Sequence, residues 1–241
     1  MKESDTITIL GNGSSLLSLT DEQKDAIRAT HVIAMNKYLP FWKLVGIVPD
    51  SFLFLPPNRT VIQILANKAV ADGITDTVFY LGDSRFKHRS NYEAFTACAP
   101  APGRSNLTTR PVHRRGPTQA EINAAGKNEQ GRPKPVLIWS GTPTGPFGRM
   151  GGTLPVALNL ADALFRQWRI DGSKIIRLIG FDGDNRYFYD EHIPRDAACW
   201  KTPQQWADQA VDKPNPTVAW QKRWLLLCKQ KIRQQNITVV R

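Results

Sequence analysis

Short apolar, β-branched runs alternate along this chain with segments whose apolar positions recur every three or four residues. TITIL at Thr6–Leu10 and HVIAM at His31–Met35 read as strands, as do residues 77–81, 136–140, Lys174–Ile179 and 236–240, with an extended piece over 51–55. Helical spacing marks residues 21–29, opened by Thr20, and residues 61–72, 154–168 and 217–234; Trp42–Val45 adds a short helical turn. Strands that alternate with helices predict an α/β fold, a mainly parallel sheet with helices on both faces.

One stretch breaks the rhythm. From Ala99 to Pro135 the chain is crowded with proline, glycine and arginine and offers few apolar anchors. An irregular segment of this length is either a basic lid that clamps a ligand or a disordered insertion. The expected organisation is therefore one domain in two parts, residues 1–98 and 136–241, around a flexible basic insertion over 99–135.

Ligands of parallel α/β sheets bind at the carboxyl ends of the strands. The first strand ends in GNGSS, where Gly11 and Gly13 let the backbone approach a partner closely and Asn12, Ser14 and Ser15 offer hydrogen bonds. GNGSS lacks the third glycine of a dinucleotide fingerprint and the Lys-Ser/Thr pair of a Walker loop. Read alone it is equally an ordinary strand-to-helix turn. A second glycine-rich turn, GRMGGT at residues 148–153, leads through a helix into KIIRLIGFDGD, whose strand ends at Gly180 and Asp182. Two polar loops facing each other across one crevice are the expected binding site.

Composition sharpens this only in part. The 241 residues are 41% hydrophobic, enough for a substantial core, and carry a formal charge of +11. Such a charge attracts a polyanion, a phosphorylated small molecule or an acidic membrane surface. Three widely spaced cysteines, Cys98, Cys199 and Cys228, indicate neither a disulfide framework nor a metal clip, which fits a reducing compartment. MKESDTI carries no apolar signal core, and no run approaches the roughly 18 apolar residues of a spanning helix. A cytoplasmic protein is expected, peripheral to the inner membrane at most.

In order and spacing, GNGSS, Asn36 in HVIAMNKY, the glycine-rich turn and helix, LIGFD and YFYD resemble the bacterial sialyltransferases of glycosyltransferase family 42. That resemblance covers about half the chain. It implies a Rossmann-like nucleotide-sugar domain that transfers sialic acid from CMP-sialic acid, with inversion and without a metal cofactor, to a glycan or glycolipid hydroxyl such as those of lipopolysaccharide or capsule. By position, Gly11, Asn12, Gly13, Ser15 and Gly180 would line the donor site, and Asn36 would contact the CMP part. Arg149, Gly151, Gly152 and Thr153 fall at the family's Arg-x-Thr-Ser-Gly turn, Asp182 at its strand-end aspartate and Tyr187 at its phosphate-side tyrosine. A tyrosine hydroxyl there stabilises the charge that develops on the departing phosphate.

Departures accompany these matches. Ser14 replaces the family's proline, and Asp184 stands where a second tyrosine belongs. The family's catalytic histidine lies well beyond its YAFD segment, whereas no histidine follows His192 in this sequence. Either His192 supplies the general base that takes the acceptor proton, or it is a loop histidine facing solvent. MNKYLPFWKLVGIVPDSFLF is similar to hydroxymethylpterin pyrophosphokinase-like domains, which would make the protein a magnesium-dependent nucleotide enzyme. Under that alternative Asp182 and Asp184 would hold the Mg2+ between phosphate oxygens; otherwise Asp-Gly-Asp is a turn.

Near the carboxyl end, Trp220, Trp224, Leu227 and Cys228 share one helical face, with Lys222, Arg223, Lys229 and Arg233 on the remainder. Such a helix either touches an anionic membrane or packs on its own sheet, and the strand that follows favours packing. A non-enzymatic nucleic-acid-binding protein is the rival class, since Arg104, Arg110, Arg114, Arg115 and Arg132 could track phosphates. The spread of basic residues over the whole chain and the lack of a reading motif count against it.

Overall fold

Five consecutive residues of the first strand, Thr6–Leu10, are buried on both faces, which only a central strand covered from both sides permits. In the computed structural model, which describes residues 4–55, 59–83, 107–148, 153–182, 188 and 226–240, this strand (β1) lies inside an eight-stranded sheet. The others are β2 (His31–Met35), β3 (Ser51–Phe54), β4 (Val78–Asp83), β5 (Thr109–Arg115), β6 (Phe147–Gly148), β7 (Lys174–Ile179) and β8 (Ile237–Val240). Their spatial order is β6-β5-β4-β3-β2-β1-β7-β8, and every neighbouring pair is parallel. The architecture is α/β and Rossmann-like, as the alternation of periods predicts.

Alternate side chains of each strand feed two cores. Ile7, Ile9, Ile33, Met35, Leu53, Ile176 and Leu178 face a long helix, α5 (Thr153–Gln167), whose residues from Pro155 to Phe165 are all buried. On the opposite face Leu10, Val32, Ala34, Phe52, Phe54 and Phe79 pack with Ile27, Leu65, Ala66 and Ala69. Those four belong to α1 (Asp21–Arg28) and α3 (Arg59–Ala71). Each fully buried Leu, Ile or Phe contributes about 1.5–3 kcal/mol, so the two apolar layers hold the sheet in place.

Local signals set the helix ends. Thr20 accepts from the Gln23 backbone N–H while Gln23 returns a bond to the Thr20 backbone, a reciprocal cap that starts α1. The short α2 (Trp42–Val45) stops at Gly46, whose φ of 80° is left-handed. Asp72, just after α3, pins this region with ion pairs to Lys43 at 2.7 Å and Lys68 at 3.1 Å.

Two expectations are corrected. Residues 136–140 form no strand; Asn159 on α5 accepts from Ser140 N–H and donates back to Ser140 O, both at 2.9 Å, so side-chain amides replace a ladder partner. Inside the stretch expected to be irregular, Thr109–Arg115 is a strand of the sheet. It pairs with β4 from Phe79↔Thr109 to Asp83↔His113. Pro111 is tolerated because β6 pairs only with Arg114 and Arg115, which leaves β5 an edge at the proline. A second capped helix, α4 (Gln119–Ala125), follows, with Thr118 and Glu121 forming the reciprocal cap. Arg115 grips Glu121 through two bonds of 2.6 Å and holds its carboxyl down to about 2.

Residues 226–233 are helical; Cys228 and Ile232 are buried in the core under β7 and β8. This is the packed arrangement of the tail helix, with Lys229 and Arg233 left exposed. Burial pushes the Cys228 thiol up to about 12. Trp220 and Trp224 lie outside the described residues, as do Cys98 and Cys199.

Candidate functional site

From β1 the chain runs outward through β2 to β6 on one side, while β7 and β8 occupy the other. The connections leaving the carboxyl ends of β1 and β7 therefore diverge, and the crevice between diverging connections is where such sheets take ligands.

At that point the two glycine-bearing loops bond directly. Gly11 N–H donates to Ile179 O and Gly13 N–H to Gly180 O, each at 2.8 Å. Ser15 N–H donates to one Asp182 carboxylate oxygen at 2.7 Å, and the Ser15 hydroxyl donates to the other. A Cβ at Gly11 would run into the Gly180 carbonyl and one at Gly13 into the Asp182 carboxylate. Gly180 itself sits at φ 75° with Leu16 Cγ 2.9 Å from where its Cβ would stand. These glycines thus serve loop-to-loop contact, and the expected arrangement is corrected: the two loops touch instead of facing each other across an open crevice. Asp182 closes the contact by accepting from Ser15 near the start of the 3-10 turn Ser14–Ser18.

Asn12 is left differently placed. Its carbonyl accepts from Phe188 N–H at 3.0 Å, and Phe188 packs on the buried Tyr38 ring at 5.5 Å. The Asn12 side-chain oxygen is buried with no hydrogen-bond partner among the described residues. An unpaired buried acceptor costs about 1–3 kcal/mol, which sets Asn12 apart from the other residues of this loop.

A second pair stands on the same rim. Asn36 follows β2 at φ 59°, a left-handed conformation that asparagine adopts more readily than most residues. Its backbone N–H donates to Leu53 O at 3.0 Å, which fixes the turn. Its side-chain oxygen accepts from the Thr153 hydroxyl at 2.8 Å, across 117 residues of sequence. Thr153 is the first residue of α5, so this pair lies beside the positive end of a helix dipole.

Of the residues nominated from sequence, Gly11, Gly13, Ser15, Gly180 and Asp182 form the clasp, Asn12 supplies the unpaired acceptor, and Asn36 meets Thr153. Arg149, Gly151, Gly152, Asp184, Tyr187 and His192 lie outside the described residues. Asp182 has both oxygens engaged by Ser15, and among the described residues no three His, Cys, Asp or Glu side chains gather into a metal-binding group. No helix among the described residues is long and apolar enough to cross a membrane.

Sequence reasoning passed over Arg177. It sits within β7 between Thr8 of β1 and Val240 of β8, and it lines a cavity of about 550 Å³ beside the clasp. The signal was a charge in the interior of the strand, Arg177 within the otherwise apolar run IIRLI.

Comparisons of the chain with protein-family models, with curated proteins and with solved structures return no match.

Proposed function

We propose that the protein binds a CMP-activated sugar in the crevice above β1, β2 and β7 and transfers the sugar to a glycan or glycolipid hydroxyl. The observation that carries this reading is the Asn36–Thr153 hydrogen bond. Two residues, far apart in sequence, that the same family resemblance assigns to the donor site meet at 2.8 Å on the rim that also holds the unpaired Asn12 oxygen.

On this reading the amino end of α5 faces the donor phosphate, where the dipole favours an anion. Thr153 turns its hydroxyl proton toward Asn36 and presents its lone pairs to a ligand donor, and Asn12 accepts from a ligand N–H or O–H. Asp182 is a positioning residue: its hold on Ser15 fixes the two loops whose backbone forms the crevice wall. Tyr187 stabilises the leaving phosphate and His192 takes the acceptor proton; both roles come from the sialyltransferase resemblance.

A thermal-shift screen of CMP, CMP-sialic acid, UDP, GDP and ATP, with and without magnesium, tests the class, because a ligand specific to the folded state raises Tm by mass action. Stabilisation by the two cytidine compounds independent of magnesium is expected. Magnesium-dependent stabilisation by ATP alone would move the protein to the pyrophosphokinase class.

A further inference from the structure

Beside the clasp, on the α1 face of the sheet, lies a pocket walled in part by the clasp residues Ser15, Gly180 and Asp182. α1 covers β1 and β2, and where β7 and β8 continue past it a cavity of about 550 Å³ opens. Leu19, Ile179 and Val240 give it apolar walls, Gln23 and Ser15 stand at its α1 side, and Arg177 projects from the strand beneath. The volume is within the usual range for small-molecule sites.

Arg177 is the unusual member. A strand flanked on both sides normally carries apolar side chains at its inner positions, and the neighbours of Arg177 on this face of β7 are Ile175 and Ile179. Arg177 as a whole residue is half-buried, and among the described residues its side chain has no hydrogen bond and no ion pair. The nearest carboxylate lining the cavity, Asp182, is engaged by Ser15 and does not pair with it. A half-buried arginine with five donors, unpaired among the described residues, is matched by an oxyanion, which the guanidinium fork binds in two-point fashion. The Gln23 amide adds a neutral donor at the rim.

We propose that this pocket is a second ligand site, specific for a small molecule that joins a phosphate or carboxylate to a short apolar portion. The anion is held by Arg177 and the apolar part lies against Leu19, Ile179 and Val240. The site shares Ser15, Gly180 and Asp182 with the clasp, whereas Asn12, Asn36 and Thr153 are not among its lining residues, so variants at Arg177 and Gln23 test it separately from the donor reading.

Titration calorimetry with phenyl phosphate and, separately, benzoate tests it, on the parent and on three variants. Arg177→Gln removes the fork. Gln23→Glu preserves the α1 cap, because glutamate serves equally at that capping position, and sets a negative charge against the ligand. Asn36→Gly is the donor-site control. The expected result is saturable binding of at least one probe to the parent, weakened tenfold or more in both pocket variants and unchanged in Asn36→Gly. Preference for phenyl phosphate identifies a phosphate ester as the natural chemistry, preference for benzoate a carboxylate. Absence of binding by either probe, equal affinity in Gln23→Glu and parent, or loss of binding in Asn36→Gly would overturn the proposal. Gln23→Glu decides the matter even if Arg177→Gln does not fold.

Discussion

Ser15 and Asp182, 167 residues apart in sequence, are joined through both oxygens of one carboxylate. The backbone N–H and the hydroxyl of a single serine therefore tie the loop after β1 to the loop after β7 at the point where the sheet changes direction. Loop closure over so long a separation is entropically expensive, and it is offset by the parallel pairing of β1 with β7 over Thr6–Leu10. What the clasp adds is the relative placement of two short loops.

Asp182→Asn keeps one acceptor but loses the charge-assisted pair. Because the site is exposed, the expected loss of stability is modest, about 1–2 kcal/mol, read as a lower urea midpoint with unchanged slope. A midpoint equal to that of the parent would show that the clasp contributes nothing to folding.

Glycine substitutions give a steric test of the same contact. Gly11→Ala drives a methyl into the Gly180 backbone carbonyl, which cannot step aside, and is expected to lose about 1–3 kcal/mol or more. Gly13→Ala displaces the Asp182 carboxylate and breaks its bonds to Ser15. Gly116→Ala, where a Cβ meets nothing within 4 Å, should leave the melting temperature unchanged. If all three behave alike in thermal denaturation, the loops are not in close contact.

Acid stability should depend on Asp72. Burial alone would raise its pKa, but hydrogen bonds from Lys43, Trp42 and Lys68 outweigh this and hold the carboxyl below the ordinary 3.8. A depressed folded-state pKa contributes stability that is complete above the unfolded value and lost as pH falls through the folded one. Stability should therefore decline below about pH 4, and Asp72→Asn should be less stable at neutral pH with a flatter acid limb. Parallel acid limbs in variant and parent, measured by urea denaturation from pH 2 to 7, would remove Asp72 from the account.

Under the proposed sugar transfer, Tyr187→Phe is expected to separate catalysis from binding. A hydroxyl that bonds the departing phosphate strengthens its contact only in the transition state, so kcat should fall further than donor affinity. Equal kcat in variant and parent would discard the role.

Where the chain alternates periods strongly, the fold was legible: β1, β2, α2 and β7 match the sequence expectation residue for residue. What escaped it were segments whose pairing rests on the backbone instead of buried side chains. TRPVHRR buries only Val112 fully and carries a proline, so nothing in its pattern announces a strand, although its neighbours β4 and β6 make it one. The opposite error arose at residues 136–140, whose apolar pattern is genuine but whose ladder partner is replaced by Asn159. At the site, the glycines and asparagines were legible as a loop chemistry, but their division of labour was not. Only packing shows that Gly11 and Gly13 meet Gly180 and Asp182, and that Asn12 keeps an unpaired oxygen. Arg177 was invisible for the reverse reason, since an interior charge in a strand declares no partner until its surroundings are seen.

Calorimetric titration of CMP into the parent, Asn12→Ala and Asn36→Gly tests the donor crevice most directly. Glycine at position 36 retains access to the φ of 59° while removing the amide, and alanine at position 12 relieves an unpaired buried oxygen, so both variants should fold and Asn12→Ala should be no less stable than the parent. The predicted result is a tenfold or greater loss of CMP affinity in each. CMP affinity unchanged in both variants, or no CMP binding by the parent, would contradict a nucleotide-sugar site at this end of the sheet.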